Sequence, residues 1–125
     1  MKRTHALLEA IPLLTSSSCR GLIPTELPAL FRDGTSGPSH ECTIRAMRLG
    51  VMLIEGRCDA AVGGRLFIRF YVPTSERVFD LPVFVRWRCS GHFGVQMGSV
   101  GVRATIAITH FLGKLPTREG ERLSA

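Results

Sequence analysis

Arginine carries most of the chemistry this chain can offer. Of its sixteen basic residues fourteen are arginine and two lysine, against ten carboxylates, for a net charge of +6. A guanidinium presents a planar fork of donors that grips a phosphate through two hydrogen bonds and stacks on flat rings; an ammonium does neither. An anionic partner is the expectation, and the alternative is a surplus of charge spread over a solvated surface. One pattern sets arginines among aromatics: Arg65, Phe67, Arg69 and Tyr71 alternate with apolar residues, and further on so do Phe84, Arg86 and Arg88. On adjacent strands these seven would form a basic, aromatic face able to stack bases and neutralise phosphates of single-stranded nucleic acid. The competing reading has a helix or a partner covering the rings while arginine stems lie across them. It is favoured here, because nothing in the sequence opens that face, so nucleic acid is not the expected partner.

Catalysis finds little support. The chain has no His-Glu-x-x-His, no Gly-x-Ser-x-Gly and no Gly-x-x-x-x-Gly-Lys, and Gly63-Gly64 suits a turn better than a phosphate cradle. No enzyme is expected. Cys19, Cys42, Cys58 and Cys89 lie too far apart for a zinc site, with His40-x-Cys42 the nearest approach to a ligand pair. No metal and no cofactor are expected. Cys42, Cys58 and Cys89 fall in or beside apolar strand patterns, which suits buried free thiols in a reducing cytoplasm.

The elements that must position these residues are strands. At 125 residues, 45% apolar and 21% charged, the chain suits one globular domain. Thr25 to Arg32 alternates loosely around Pro28 and is expected as a first strand at a sheet edge. His40 to Arg48 and Gly50 to Glu55 follow as the second and third. Gly56 to Gly64 turns the chain into Arg65 to Val72, where Leu66, Ile68, Phe70 and Val72 share the core face. Val78 to Cys89 returns with Val83, Val85 and Trp87 on one side and Phe84, Arg86 and Arg88 on the other. Ser90-Gly91 makes a tight hairpin into His92 to Met97. Short strands joined by turns, with no helical crossover, indicate antiparallel pairing in a small closed barrel or sandwich.

Val100 to Leu112 fits either a strand or a helix. Ala104, Ile108, Phe111, Leu112 and Leu115 fall at helical spacing, Ser99 is a candidate cap, and Gly113 with Pro116 is a stop signal. At the other end, Glu9 and Pro12 interrupt an apolar run that otherwise has the order of an export signal, so residues 1–24 are read as an arm or loop. Residues 116–125 form a polar tail. No segment is long and apolar enough to span a membrane as a helix.

The order Met52-Leu53, Gly63-Gly64 before a long strand, Val85-Arg-Trp87, then Phe93-Gly94-Val95-Gln96-Met97 resembles a PilZ domain, the bacterial receptor module for cyclic di-GMP. The resemblance spans Thr25 to Leu112. It implies an all-β fold, a six-stranded antiparallel β-barrel with a C-terminal helix over 25–115, and it tips Val100 to Leu112 to helix. It also implies a ligand site built from an Arg-x-x-x-Arg pair before the first strand and an Asp/Asn-x-Ser-x-x-Gly motif after it.

Aligned on Leu49 and Met52-Leu53, the second motif falls on Ala46, Arg48 and Val51, so all three signature residues are changed while Gly50 is kept. The arginine pair falls near Ser18 and Leu22, with Arg20 the only arginine close by. The ligand residues implied are thus Arg20, Arg45, Arg48 and Gly50. Each lost charge-assisted phosphate contact costs about 1.5–3 kcal/mol, and several together remove a micromolar site. The family default is a cyclic di-GMP receptor that changes its docking on a protein partner of motility or surface-appendage machinery. The alternative is a protein-interaction adaptor of the same fold that does not bind the nucleotide.

Overall fold

Alternation of apolar and polar residues lets a strand bury one face and solvate the other, and six such strands organise this chain. The computed structural model describes residues 21–34 and 37–115. The strands are β1 (Ile23–Arg32), β2 (Ser39–Arg48), β3 (Val51–Glu55), β4 (Arg65–Val72), β5 (Arg77–Cys89) and β6 (His92–Met97), followed by the helix α1 (Gly101–Gly113). All neighbours pair antiparallel in the cyclic order β1-β2-β3-β6-β5-β4, closing a barrel. The expected all-β barrel with a C-terminal helix is the architecture found.

β4 shows the period most cleanly. Leu66, Ile68, Phe70 and Val72 are buried while Arg65, Phe67, Arg69 and Tyr71 face outward. Ile44, Met47, Met52, Ile54, Val83, Val85 and Phe93 fill the same interior. Burying such a side chain contributes about 1.5–3 kcal/mol, and among the described residues no Asp, Glu, Lys or Arg is buried. The helix completes it: Ala104, Ala107, Ile108, Phe111 and Leu112, on one face of α1, join the barrel's own core.

Four expectations need correction. β1 is not an edge, because it pairs with β2 along its length and with β4 from Ala29 to Arg32; Pro28 stands one residue before that second ladder. Ser99 does not cap α1: Val100 occupies the N-cap with no side-chain bond, and Gly101 enters the helix at φ +80°. Trp87 and Arg88 exchange faces relative to the simple alternation. A bulge between Val85 and Trp87 inserts Arg86 as an extra residue, so Trp87 pairs with Gly94 on the outer wall and Arg88 with the inward-facing Phe93.

Residues paired across strands share a face, so the outer wall reads as transverse rows. One row is Arg48, Val51, Gln96, Phe84 and Arg65; the next is Ala46, Leu53, Gly94 and Trp87; a third is Thr43, Glu55, His92 and Cys89. Of the ligand residues implied by the family resemblance Arg48 lies on the first row, and the changed motif positions Ala46 and Val51 lie on the second and first.

Candidate ligand-binding wall

The turn between β2 and β3 consists of Leu49 and Gly50, with Gly50 at φ +101°, a conformation that favours glycine. This turn brings two of the implied ligand residues together. The Arg48 side chain folds over the turn, its Nη1 donating to the Leu49 carbonyl at 3.3 Å and lying 3.9 Å from where a Cβ on Gly50 would stand. Its Cδ would be 3.6 Å from a Cβ on Gly21, an ordinary contact distance. The Arg48 Nε is buried with no hydrogen-bond partner among the described residues.

Arg45 makes different contacts, though it is only three residues away. It is the extra residue of a β2 bulge between Ile44 and Ala46, opposite a β1 irregularity between Pro24 and Leu27 where Glu26 takes φ +54°. Thr25 Oγ1 donates to the Ile44 carbonyl at 2.6 Å and ties the two irregular stretches together. The guanidinium of Arg45 reaches Glu26 through Nη1 and Glu55 through Nη2, and His92 Nε2 stands 3.8 Å from the second Glu55 oxygen. Two carboxylates thus offset its charge, and its side chain is only 13% exposed. Arg20 lies outside the described residues.

Ala46, at the position where the sequence resemblance implies Asp or Asn, is fully buried although it faces the outer wall. It forms a small apolar cluster with Leu53 and Trp87, and Leu22 packs against it. The Trp87 indole lies flat on the Gly94 backbone: a Cβ added at Gly94 would meet Nε1 at 2.1 Å. Sequence reasoning missed this cluster. The signal available was Gly94 inside a strand, a position that marks close approach of another group.

The seven-residue basic, aromatic face does not assemble as one surface. The Phe67 ring is covered by Arg32 and Arg65, whose guanidinium carbons lie 5.0 and 4.9 Å from its centroid. Arg32 also grips Asp80 through two hydrogen bonds of 2.9 and 2.7 Å, and Arg69 approaches the same carboxylate at 3.5 Å. The hydrogen bonds from Arg32 hold the Asp80 carboxyl below its ordinary value, against a smaller opposing effect of burial. Arg88 has turned away and donates to the Cys58 carbonyl at 3.1 Å. Beyond the covered ring, Leu30, Tyr71 and Val78 remain exposed in a shallow groove of about 710 Å³ bordered by Glu41, Glu55 and Arg69.

The three described cysteines are free. Cys42 is buried, and desolvation pushes its thiol up to about 12; Cys58 is half-buried and raised by the same cause. Cys89 is exposed, so the expectation of buried thiols fails there, because it faces outward at the β5–β6 hairpin. Among the described residues no three His, Cys, Asp or Glu side chains converge to hold a metal ion, and no helix is long and apolar enough to cross a membrane.

No family model matches the chain, and no curated protein matches it. Solved structures do. The PilZ domain of CeSA from a cellulose-synthesizing bacterium superposes at a TM-score of 0.62 with 11% identity, covering 74% of this chain and 94% of that one. The Bacillus subtilis inhibitor of motility, MotI/DgrA, gives 0.62 at 12% identity over 76% of this chain. The Borreliella burgdorferi PlzA protein, in complex with c-di-GMP, gives 0.51 at 13% identity over 89%. The chain spans about half the length of the last two, with 50% and 45% of those chains covered. At these identities the likeness concerns the fold, and it is specific on that point: barrel and helix together form a PilZ-like domain.

Proposed function

We propose that this domain is a protein-interaction adaptor of cyclic di-GMP signalling in the bacterial cytoplasm, with a wall that does not recognise the nucleotide in the family's manner. The observation that carries this reading is the fully buried Ala46 beneath Trp87, Leu53 and Leu22, where the family motif would present a carboxylate or amide to a guanine. An apolar cluster offers no hydrogen bond to a base edge, and a polar ligand group pressed against it would lose its water without compensation. Arg45 adds to the argument, since its charge is already offset by Glu26 and Glu55. A similar fold occurs in a protein that inhibits motility, which supports a partner in motility or surface-appendage machinery.

The second reading is a cyclic di-GMP receptor, and Arg48 favours it. Its guanidinium sits beside Gly50 with a buried, unpartnered Nε, so an arriving phosphate would find a fork that the fold has not fully satisfied. Arg20 would have to supply the second cation. Isothermal titration of the full-length protein with cyclic di-GMP, with GTP as control, separates the two. The adaptor reading expects no heat of binding from folded protein. Selective micromolar binding that Arg48→Ala or Arg20→Ala abolishes would overturn it in favour of the receptor.

A further inference from the structure

Four of the ten described arginines are engaged by carboxylates or an aromatic ring. Arg32 and Arg69 share Asp80, Arg45 holds two glutamates and Arg65 lies on Phe67. Arg57, Arg86 and Arg88 instead converge on a groove of about 990 Å³ between the loop after β3 and the β5–β6 hairpin, with Trp87 in its wall. Arg86 has no hydrogen bond or ion pair among the described residues. Arg88 has only the Cys58 carbonyl, and Arg57 only a loose approach to Asp59 at 3.9 Å with both side chains 91% exposed. Three cations face one carboxylate, a net charge of +2 in one concavity.

The groove is built by the fold. The β5 bulge aims Arg86 outward as an extra residue. Beside it, Gly63 N–H donates to the Val85 carbonyl at 2.6 Å and Val85 N–H to the Gly64 carbonyl at 2.9 Å, fastening the loop that carries Arg57 and Val62 along β5. The Arg88 bond to Cys58 is a third tie between loop and strand. The backbone of the loop is therefore fastened to β5 before any ligand arrives, and of the three guanidiniums that of Arg88 is tied to it.

We propose that this groove binds an acidic peptide segment of a protein partner through the forks of Arg57, Arg86 and Arg88. A peptide fits better than a compact polyphosphate on two counts. Val62, 62% exposed on the rim, offers an apolar contact that a bare polyanion cannot use. Asp59 would repel dense negative charge, whereas it can accept a peptide N–H. The groove lies at the hairpin end of the barrel joined to Glu55 and His92, away from the Arg48–Gly50 turn at the Gln96 end. The proposal rests on the adaptor reading in taking a protein as the occupant.

The test is fluorescence anisotropy of the full-length protein with a labelled hexaglutamate peptide, with oligothymidine and tripolyphosphate as competitors. The double variant Arg57→Ala/Arg86→Ala, both at exposed positions, is expected to weaken peptide binding at least tenfold. Arg103→Ala on the exposed side of α1 removes the same type of charge outside the groove and is expected to change it less than twofold. Equal losses for Arg103→Ala and for either groove substitution would reduce the effect to net charge and overturn the proposal. So would oligothymidine or tripolyphosphate binding more tightly than the peptide through the same arginines. Cyclic di-GMP binding lost in Arg48→Ala, with peptide binding unchanged, would overturn the adaptor reading and leave the groove standing.

Discussion

Substituting Gly94 by alanine tests the outer-wall cluster on which the functional reading depends. The added methyl would stand 2.1 Å from Trp87 Nε1, 2.3 Å from Cε2 and 2.7 Å from Cζ2, where ordinary contact is about 3.5 Å. The indole must withdraw by more than an ångström, and β6 cannot retreat because β3 and β5 flank it. Strained overpacking costs about 1–3 kcal/mol, and the loss rises toward about 3–5 kcal/mol if the ring leaves its site and uncovers Leu53, Ala46 and Leu22. We therefore expect about 2–4 kcal/mol, or a fall in Tm of roughly 8–30 °C for a domain of this size. Trp87 is the only tryptophan, so its fluorescence reports the displacement directly while urea unfolding followed by circular dichroism gives the free energy. In a Trp87→Ala background the clash is absent, and Gly94→Ala should be neutral or stabilising by about 0.4–1 kcal/mol. A Gly94→Ala protein within about 0.5 kcal/mol of the parent, or an equal loss in both backgrounds, would refute the account.

Two further outcomes follow from the charged and thiol groups. Because Arg32 holds the Asp80 carboxyl below its ordinary 3.8, the pair's stabilisation is complete above that value and is lost as pH falls through the folded-state value. The stability difference between the parent and Asp80→Asn should stay flat from about pH 5 to 8 and shrink below about pH 4, measured by urea unfolding at each pH. Cys42, pushed up to about 12 by burial, should resist iodoacetamide at pH near 8 until the domain unfolds, while exposed Cys89 is modified before it. Peptide mass spectrometry reads the order, and similar rates for the two would show that Cys42 is accessible.

The sequence was most informative where the backbone is regular. Period two placed every residue of β4 correctly because no bulge interrupts Arg65 to Val72, and helical spacing picked out Ala104, Ile108, Phe111 and Leu112. It failed where one extra residue shifts the phase: the bulge at Arg86 moved Trp87 and Arg88 to opposite faces, and no propensity marks its position. The candidate site shows the same division. Arg48 and Gly50 were legible as neighbours because only Leu49 separates them on one turn. The partners of Arg45 come from 19 and 10 positions away, across two ladders whose registers only the folded barrel sets. The apolar plug was hidden for a similar reason, since Leu22, Ala46, Leu53 and Trp87 come from distant stretches of the chain.

The short β1–β4 ladder has a consequence for self-association. Before Ala29 no described β4 residue pairs with β1, so this stretch of wall would invite an intruding strand from another molecule. It carries Pro24 and Pro28, neither of which has an N–H to give, and between them the turned-out backbone at Glu26. Those features spoil the straight run of donors and acceptors that an added strand requires. The seam is therefore guarded against polymerisation by its backbone, and the proposed partner would read this part of the wall through side chains.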